Sequence, residues 1–419
     1  MKTKLSALIL LAGGLAMPSS GAENWPQWRG PHRNGVSSQT GLPSRWTATE
    51  HVAWRLALPD ASGSTPIIWN DHVFLNVAQA ESLSLWAISR LDGTILWQRP
   101  LDDRNEDMRK GNMSSPSPVT DGLAVWVMTG TGVLTSFDFQ GNRLWQRDLQ
   151  KEYGQFGILH GYSSSPLLHD GTLYVQVLHG FHTDDPSYVL GIDASTGKNR
   201  WRVERPTDAP KEAPDAYTTP ALLEVGGTST IVISGADYVT GHDPSSGREN
   251  WRVGGLNPTR NPMQRIVASP VVVGDRIFAP SRVRPLLSLV AINGADHEPK
   301  VVWSMDRGPD VPSPVVDDRY VYLLNDKGIV WCLDADSGEV IWGPERISSA
   351  IYSASPLLAD GKLYATSEQG KTTVIKAGAE FEILAENTLD EYTLASMAAA
   401  SGQLFLRTAE HLYCLDEKD

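Results

Sequence analysis

Apolar and polar positions alternate with period two along most of the chain. Stretches such as HVFLNV (72–77), TLYVQV (172–177) and KLYATS (362–367) put successive side chains on opposite faces. That spacing predicts half-buried strands and not helices. Before each such stretch comes a shorter apolar run that opens with a small residue and a proline: STPII (64–68), SSPSPV (114–119), SSPLL (164–168), TTPAL (218–222), ASPVV (268–272), PSPVV (312–316) and ASPLL (354–358). SMAAA (396–400) is a degenerate eighth instance. The prolines fall at 66, 116, 166, 220, 270, 314 and 356, with Met397 in the last slot. A period of about 40–50 residues is that of a four-stranded repeat.

Each unit continues alike. A turn bearing Asp or Gly leads into the alternating strand. A third strand then ends near Asp, as in VLGIDASTG (189–197) and VWCLDADSG (330–338). A tight turn follows, and then a last strand carrying Trp97, Trp145, Trp201, Trp251, Trp303 or Trp342. In the seventh unit Leu384 is read in the Trp slot. A single four-stranded sheet cannot bury both faces, whereas sheets packed around a ring can. The eighth unit stops at LYCLDEKD (412–419) before any Trp strand, while an unattached one, HVAWRLAL (51–58), lies near the start. The expected fold is therefore all-β: an eight-bladed β-propeller of four-stranded antiparallel blades, closed by an N-terminal strand that joins the last blade. An open ring or two domains is the alternative, but no linker-like shift in composition supports a split.

The first residues read differently. Lys2 and Lys4 precede the apolar run Leu5–Ala16, and Ser20-Gly21-Ala22 offers small residues for cleavage. Residues 1–22 are expected to be a signal peptide, an uncleaved anchor being the rival. Residues 23–50 form an arm packing on the propeller, and 51–419 the propeller itself. A periplasmic or secreted location follows. Loss of the two lysines takes the formal charge from −13 to about −15. That excludes a broadly basic nucleic-acid surface while leaving room for a local patch. Cys332 and Cys414 occupy the same slot of units six and eight, where Ala87, Ser136, Gly191, Gly241 and Ala291 stand elsewhere. Two buried free thiols are expected, and a monomer with no membrane span.

The pattern in IDASTGKNRW (192–201) and LDADSGEVIW (333–342) resembles the PQQ-type propeller repeat, over essentially the whole mature chain. WPQWRGPHRNGVS (25–37) resembles the opening of exported PQQ-like propeller proteins. The resemblance implies one of two branches. Quinoprotein alcohol dehydrogenases hold PQQ and calcium, whereas propellers such as the BamB-type assembly scaffold hold no cofactor. The dehydrogenase branch implies adjacent cysteines over the quinone, a Trp floor, an Arg by the reactive carbonyl, and Glu, Asn and Asp on calcium. No Cys-Cys pair and no Cys-x-x-Cys-His haem motif exists here. The scaffold branch implies a lipidated Cys, also missing.

Functional groups should gather on the loop face, where units join and second strands turn into third strands. Arg282 and Arg284, with Arg265 near by, suit a carboxylate or phosphate, unless they salt-bridge acids such as Asp310. Tyr162, Tyr217, Tyr352 and Tyr392 each precede an innermost strand and are candidates for an aromatic collar. His179, His182, Asp184 and Asp185 offer ligand types for Zn, Mn or Fe, though their spacing matches no specific motif, and His160 is a neighbour. TGTG (129–132) is not a nucleotide loop, since no helix follows it. No catalytic residue can be singled out. The expected function is a non-catalytic binding or scaffold protein that takes a protein segment or small exported ligand on its loop face, without cofactor. A PQQ- and calcium-dependent dehydrogenase with an atypical site is the alternative, and a metal-dependent enzyme using loop 179–187 a second one.

Overall fold

The computed structural model describes residues 24–282, 287–293, 299–306 and 308–417. The signal-peptide reading, Arg284 and the side chain of Arg282 lie outside the described residues. Strands follow the repeat. Unit one contributes Ile67–Trp69, His72–Gln79, Ser82–Ser89 and Ile95–Asp102, hydrogen-bonded in that order. Seven sheets have four strands, and another has a fifth, Val36–Ser37, parallel to Leu357–Ala359. The rest of the pairing is antiparallel, giving an all-β propeller. Val52–Ala57 lies beside His411–Asp416, so the sheet of the last unit is completed from the N-terminal side.

The repeated motifs have physical reasons. In the turn that follows the third strand, Asp193 Oδ1 accepts from the Thr196 N–H and from the hydroxyls of Ser195 and Thr196. Gly197 then takes φ +70°, and a Cβ there would lie 2.7 Å from the Trp145 ring of the preceding unit. Glycine is needed both for the dihedral and for the close approach. The indole N–H groups use the same turns. Trp54 donates to Arg90 O, Trp97 to Phe139 O, Trp145 to Ala194 O, Trp201 to Pro244 O, Trp303 to Ala335 O and Trp342 to Gly378 O. Six of the last strands therefore clasp the next unit. The small-residue slot lies opposite each Trp: Gly191 pairs with Trp201, Cys332 with Trp342 and Cys414 with Trp54. A Cβ on Gly191 would stand 2.4 Å from the indole, so bulk is excluded. Both cysteines are free and buried.

Two register assignments are corrected. In unit seven Val374 pairs with Ala385, so the Trp slot holds Ala385 and not Leu384. The turn is one residue longer here, Ile375 pairing with Ile383 where Ile192 pairs with Asn199. Trp46 from the arm fills the space instead, 3% exposed and stacked on Tyr364 at 6.3 Å. In unit two the repeat proline is Pro118 and not Pro116, because Val119 pairs with Trp126 as Ile67 pairs with Phe74.

That correction exposes a belt. The Thr65 N–H donates to Ser117 Oγ, Ser117 to Ser165, Ser165 to Thr219, Thr219 to Ser269, Ser269 to Ser313, Ser313 to Ser355 and Ser355 to Ser396. The distances run from 2.9 to 3.1 Å. Innermost strands are sheet edges, whose amides would otherwise lack partners. The hydroxyl satisfies one amide, and the following proline removes the next donor.

Candidate functional site

The arm occupies one end of the axis. Trp25 exchanges backbone hydrogen bonds with Ile68, and Pro26 O accepts from the Thr120 N–H. Gln27, Trp28 and Arg33 face Pro166, Pro220 and Pro270. Arg29 is 2% exposed and donates to the carbonyls of Pro356, Pro314 and Asn34. No carboxylate answers it, and burial pulls the guanidinium down to about 9, so it stays charged at neutral pH. The segment thus touches the innermost strands of units all round the ring.

The opposite end carries the loops. Lys110, between units one and two, reaches past unit eight to Glu368 of unit seven, which also accepts from Ser353. Arg109 of the same loop, after burial and Arg265, helps hold the His160 imidazole below its ordinary value. The Lys110 loop therefore lies over part of the mouth.

Between units three and five the loops fold around buried acids. Asp215, fully buried, accepts from the Leu159 and Gly180 amides, at 3.0 and 2.7 Å. Those bonds favour the anion, but burial outweighs them and raises the carboxyl to about 6. Glu212, also fully buried, pairs with Arg265 at 2.7 Å. Arg265 is thus engaged by an acid, while Arg282 ends the strand Arg276–Arg282.

The tyrosines do not form an accessible collar. Tyr162 and Tyr352 are buried at 3% and 0% exposure. Tyr162 donates to Gln176 O and packs on Phe156. Tyr217 is half-buried, and its hydroxyl accepts from the His160 amide. These rings fill the joints between loops, and only Tyr392 is exposed. The unit-three loop does not gather its metal-type residues either. His179 is buried with both ring nitrogens engaged, Nδ1 by the Gly157 N–H and Nε2 by Asp185 O. Asp185 accepts from the Gln155 amide and Thr183, and His182 and Asp184 face outward. TGTG is the turn between second and third strands, equivalent to Asn325–Gly328 and Ser367–Gly370.

The adjacent cysteine pair of the quinone branch is not present. The cysteines sit inside sheets opposite Trp54 and Trp342, away from each other. Among the described residues, one set of potential ligands converges, namely Glu391, Glu410 and His411. There Glu391 already accepts from Tyr413, Thr408 and the His411 ring.

A cavity of about 690 Å³ opens in the cleft between units six and seven, beside Lys327, Arg346 and Lys371. Sequence reading missed these residues, together with Lys110, Glu368 and Asp215. The one available signal was a lysine within or just after two equivalent turns, NDKG (325–328) and EQGK (368–371).

Fold and loops together define a repeat-built propeller closed on its own axis. A family model described as outer membrane protein assembly factor BamB matches residues 36–155 and 158–343, and the chain belongs to this family of PQQ-like propellers. No curated protein matches the chain at a significant level. Among solved structures, BamB from Moraxella catarrhalis is similar at TM-score 0.64 and 13% identity, over 86% of this chain and 98% of that one. Quinohemoprotein alcohol dehydrogenase from Comamonas testosteroni gives 0.68 and 11%, over 94% and 80%. The computationally designed Ika8 protein gives 0.61 and 11%, over 87% and 99%. At these identities the likeness is one of fold.

Proposed function

We propose that this chain is an exported, non-catalytic propeller that binds a protein segment on its loop face, in the periplasm or outside the cell, and needs no cofactor. The observation that carries this is the use of the axis by the chain itself. Arg29 and its arm fill one end, and the Lys110–Glu368 contact lies over part of the other. A planar quinone would compete with these contacts for that space. What remains for a partner is the rim of loops and the clefts between units. The family description, which concerns outer-membrane protein assembly, agrees with an exported protein. Residues 1–22 serve as the signal peptide in this reading. The ring is taken as eight-bladed, the five-stranded sheet being a four-stranded blade with Val36–Ser37 added.

The test is to purify the mature protein, add PQQ and calcium, and follow the absorbance spectrum with dye-coupled alcohol oxidation. No stoichiometric uptake and no turnover is expected. Stoichiometric binding with turnover would overturn the reading in favour of a dehydrogenase.

A further inference from the structure

The cleft between units six and seven is built from held backbone. Asn325 Oδ1 accepts the amides of Lys327 and Ile329, which fixes the turn that carries Lys327. Arg346, at the end of Val340–Arg346, donates to Lys327 O at 3.0 Å. The connection between the units is tied by Ile347 N–H to Gly328 O, Tyr352 N–H to Asp326 O and Glu368 N–H to Ile351 O. The walls are thus pinned on both sides, and the Arg346 guanidinium keeps donors beyond the one spent on Lys327 O.

The chemistry of the lining is uneven. Lys327, Arg346 and Lys371 line it, with Ser348, Ser349 and Gln369, and no carboxylate does. Glu386 pairs with Lys371 at 2.8 Å from outside the lining. Lys327 and Arg346 are exposed, and Ile351 presents an apolar side chain at 48% exposure. This positive cleft belongs to a chain of net charge −13. An acidic partner is repelled by most of the surface and attracted here, which selects orientation as well as sign.

We infer that this cleft binds an extended acidic peptide segment, whose carboxylates meet Lys327 and Arg346 while a neighbouring apolar side chain covers Ile351. The inference rests on the binding role proposed above and names its partner class. The cavity volume lies in the range of ordinary ligand sites. A nucleic acid fits worse. The lining has no aromatic ring for base stacking, and a long polyanion would meet the acidic surface beyond the cleft.

The experiment is fluorescence anisotropy on the full mature chain. The probe is a labelled ten-residue peptide of Glu and Asp with two Leu, and its control replaces the acids by Gln and Asn. Saturable binding of the acidic peptide alone is expected, weakening as salt rises because surface attraction is screened beyond ~8 Å at physiological ionic strength. Lys327→Ala with Arg346→Ala should weaken it about tenfold, the sum of two exposed ion pairs. Ile351→Glu, at an exposed site that leaves the fold intact, should weaken it as well. Absence of binding, equal binding of the amide control, an unchanged affinity in the double variant, or displacement by millimolar sulfate alone would overturn the inference. If the wild-type chain does not bind the peptide yet crosslinks to protein from photoreactive residues elsewhere on its loop face, the cleft fails and the binding role stands. PQQ-dependent turnover would instead remove the role itself.

Discussion

Trp46 stacks on Tyr364 with ring centroids 6.3 Å apart and 28° between the planes. Elsewhere the same contact is made within a unit: Tyr174 with Trp201 at 5.9 Å and Tyr322 with Trp342 at 6.3 Å. Unit seven has Ala385 where the others have Trp, and the arm restores the ring from far away in the chain. Pro43 O, accepting from the Tyr364 hydroxyl at 3.2 Å, holds the segment in place.

Trp46→Ala should therefore destabilise the protein as a core tryptophan would, by about 3–5 kcal/mol, and as much as Trp97→Ala. Urea titration of both variants checks this. A loss under about 1 kcal/mol would mean that the arm only rests on the ring.

The hydroxyl belt sets a second expectation. Ser269→Ala takes the acceptor from the Thr219 amide, at 2.9 Å, and leaves a half-buried donor unmet. The cost should be about 1–3 kcal/mol. Hydrogen exchange should show the Thr219 amide losing protection, while the Ser117 amide, two joints away, keeps its own.

Asp215 gives the protein a pH signature. Its carboxyl is raised to about 6 in the folded state, above the unfolded value of about 3.9. The folded protein then holds more protons than the unfolded chain between those values. Stability from this group is present below pH ~4 and lost as pH rises through ~6, by about 3 kcal/mol. Melting curves from pH 4 to 7 should show that decline in the wild type, and Asp215→Asn should flatten it. Equal slopes would refute the assignment.

The two thiols should be silent in the native state. Burial pushes Cys332 up to about 12 and raises Cys414 as well. Thiol reagents at pH 8 should label neither until guanidinium unfolds the chain, and then both. A protein that yields no thiol after unfolding would carry a disulfide.

Much of this architecture was legible because it repeats. The Asp-turn-Gly-Trp motif appears so often that strands, turns and clasps could be read from spacing. The failures fall where repetition gives no purchase. SSPSPV offers two prolines two residues apart, which preserves the face of the strand and hides the register. Leu384 and Ala385 differ by one residue, and only the extra turn residue between Ile375 and Ile383 decides between them. Trp46 carried no local sign of its role, because its partner belongs to a sheet formed at the other end of the sequence. The tyrosines were correctly placed on the loops, but the sequence did not say that neighbouring connections would bury them. The cleft at Lys327 and Arg346 is made by two units meeting, and neither unit alone contains it.

The clasp at Trp46 sets an order of assembly. Synthesis delivers Pro43 before Tyr364, 321 residues later in the chain, and Trp54 long before Phe405, on which it packs at 6.1 Å. These two early segments are among the last to find their places. Until the last two units arrive, two indoles and an open sheet edge stay uncovered, the kind of surface that draws wrong partners. A chain cut short by its final strand would lose one sheet and, with it, the closure of all the others.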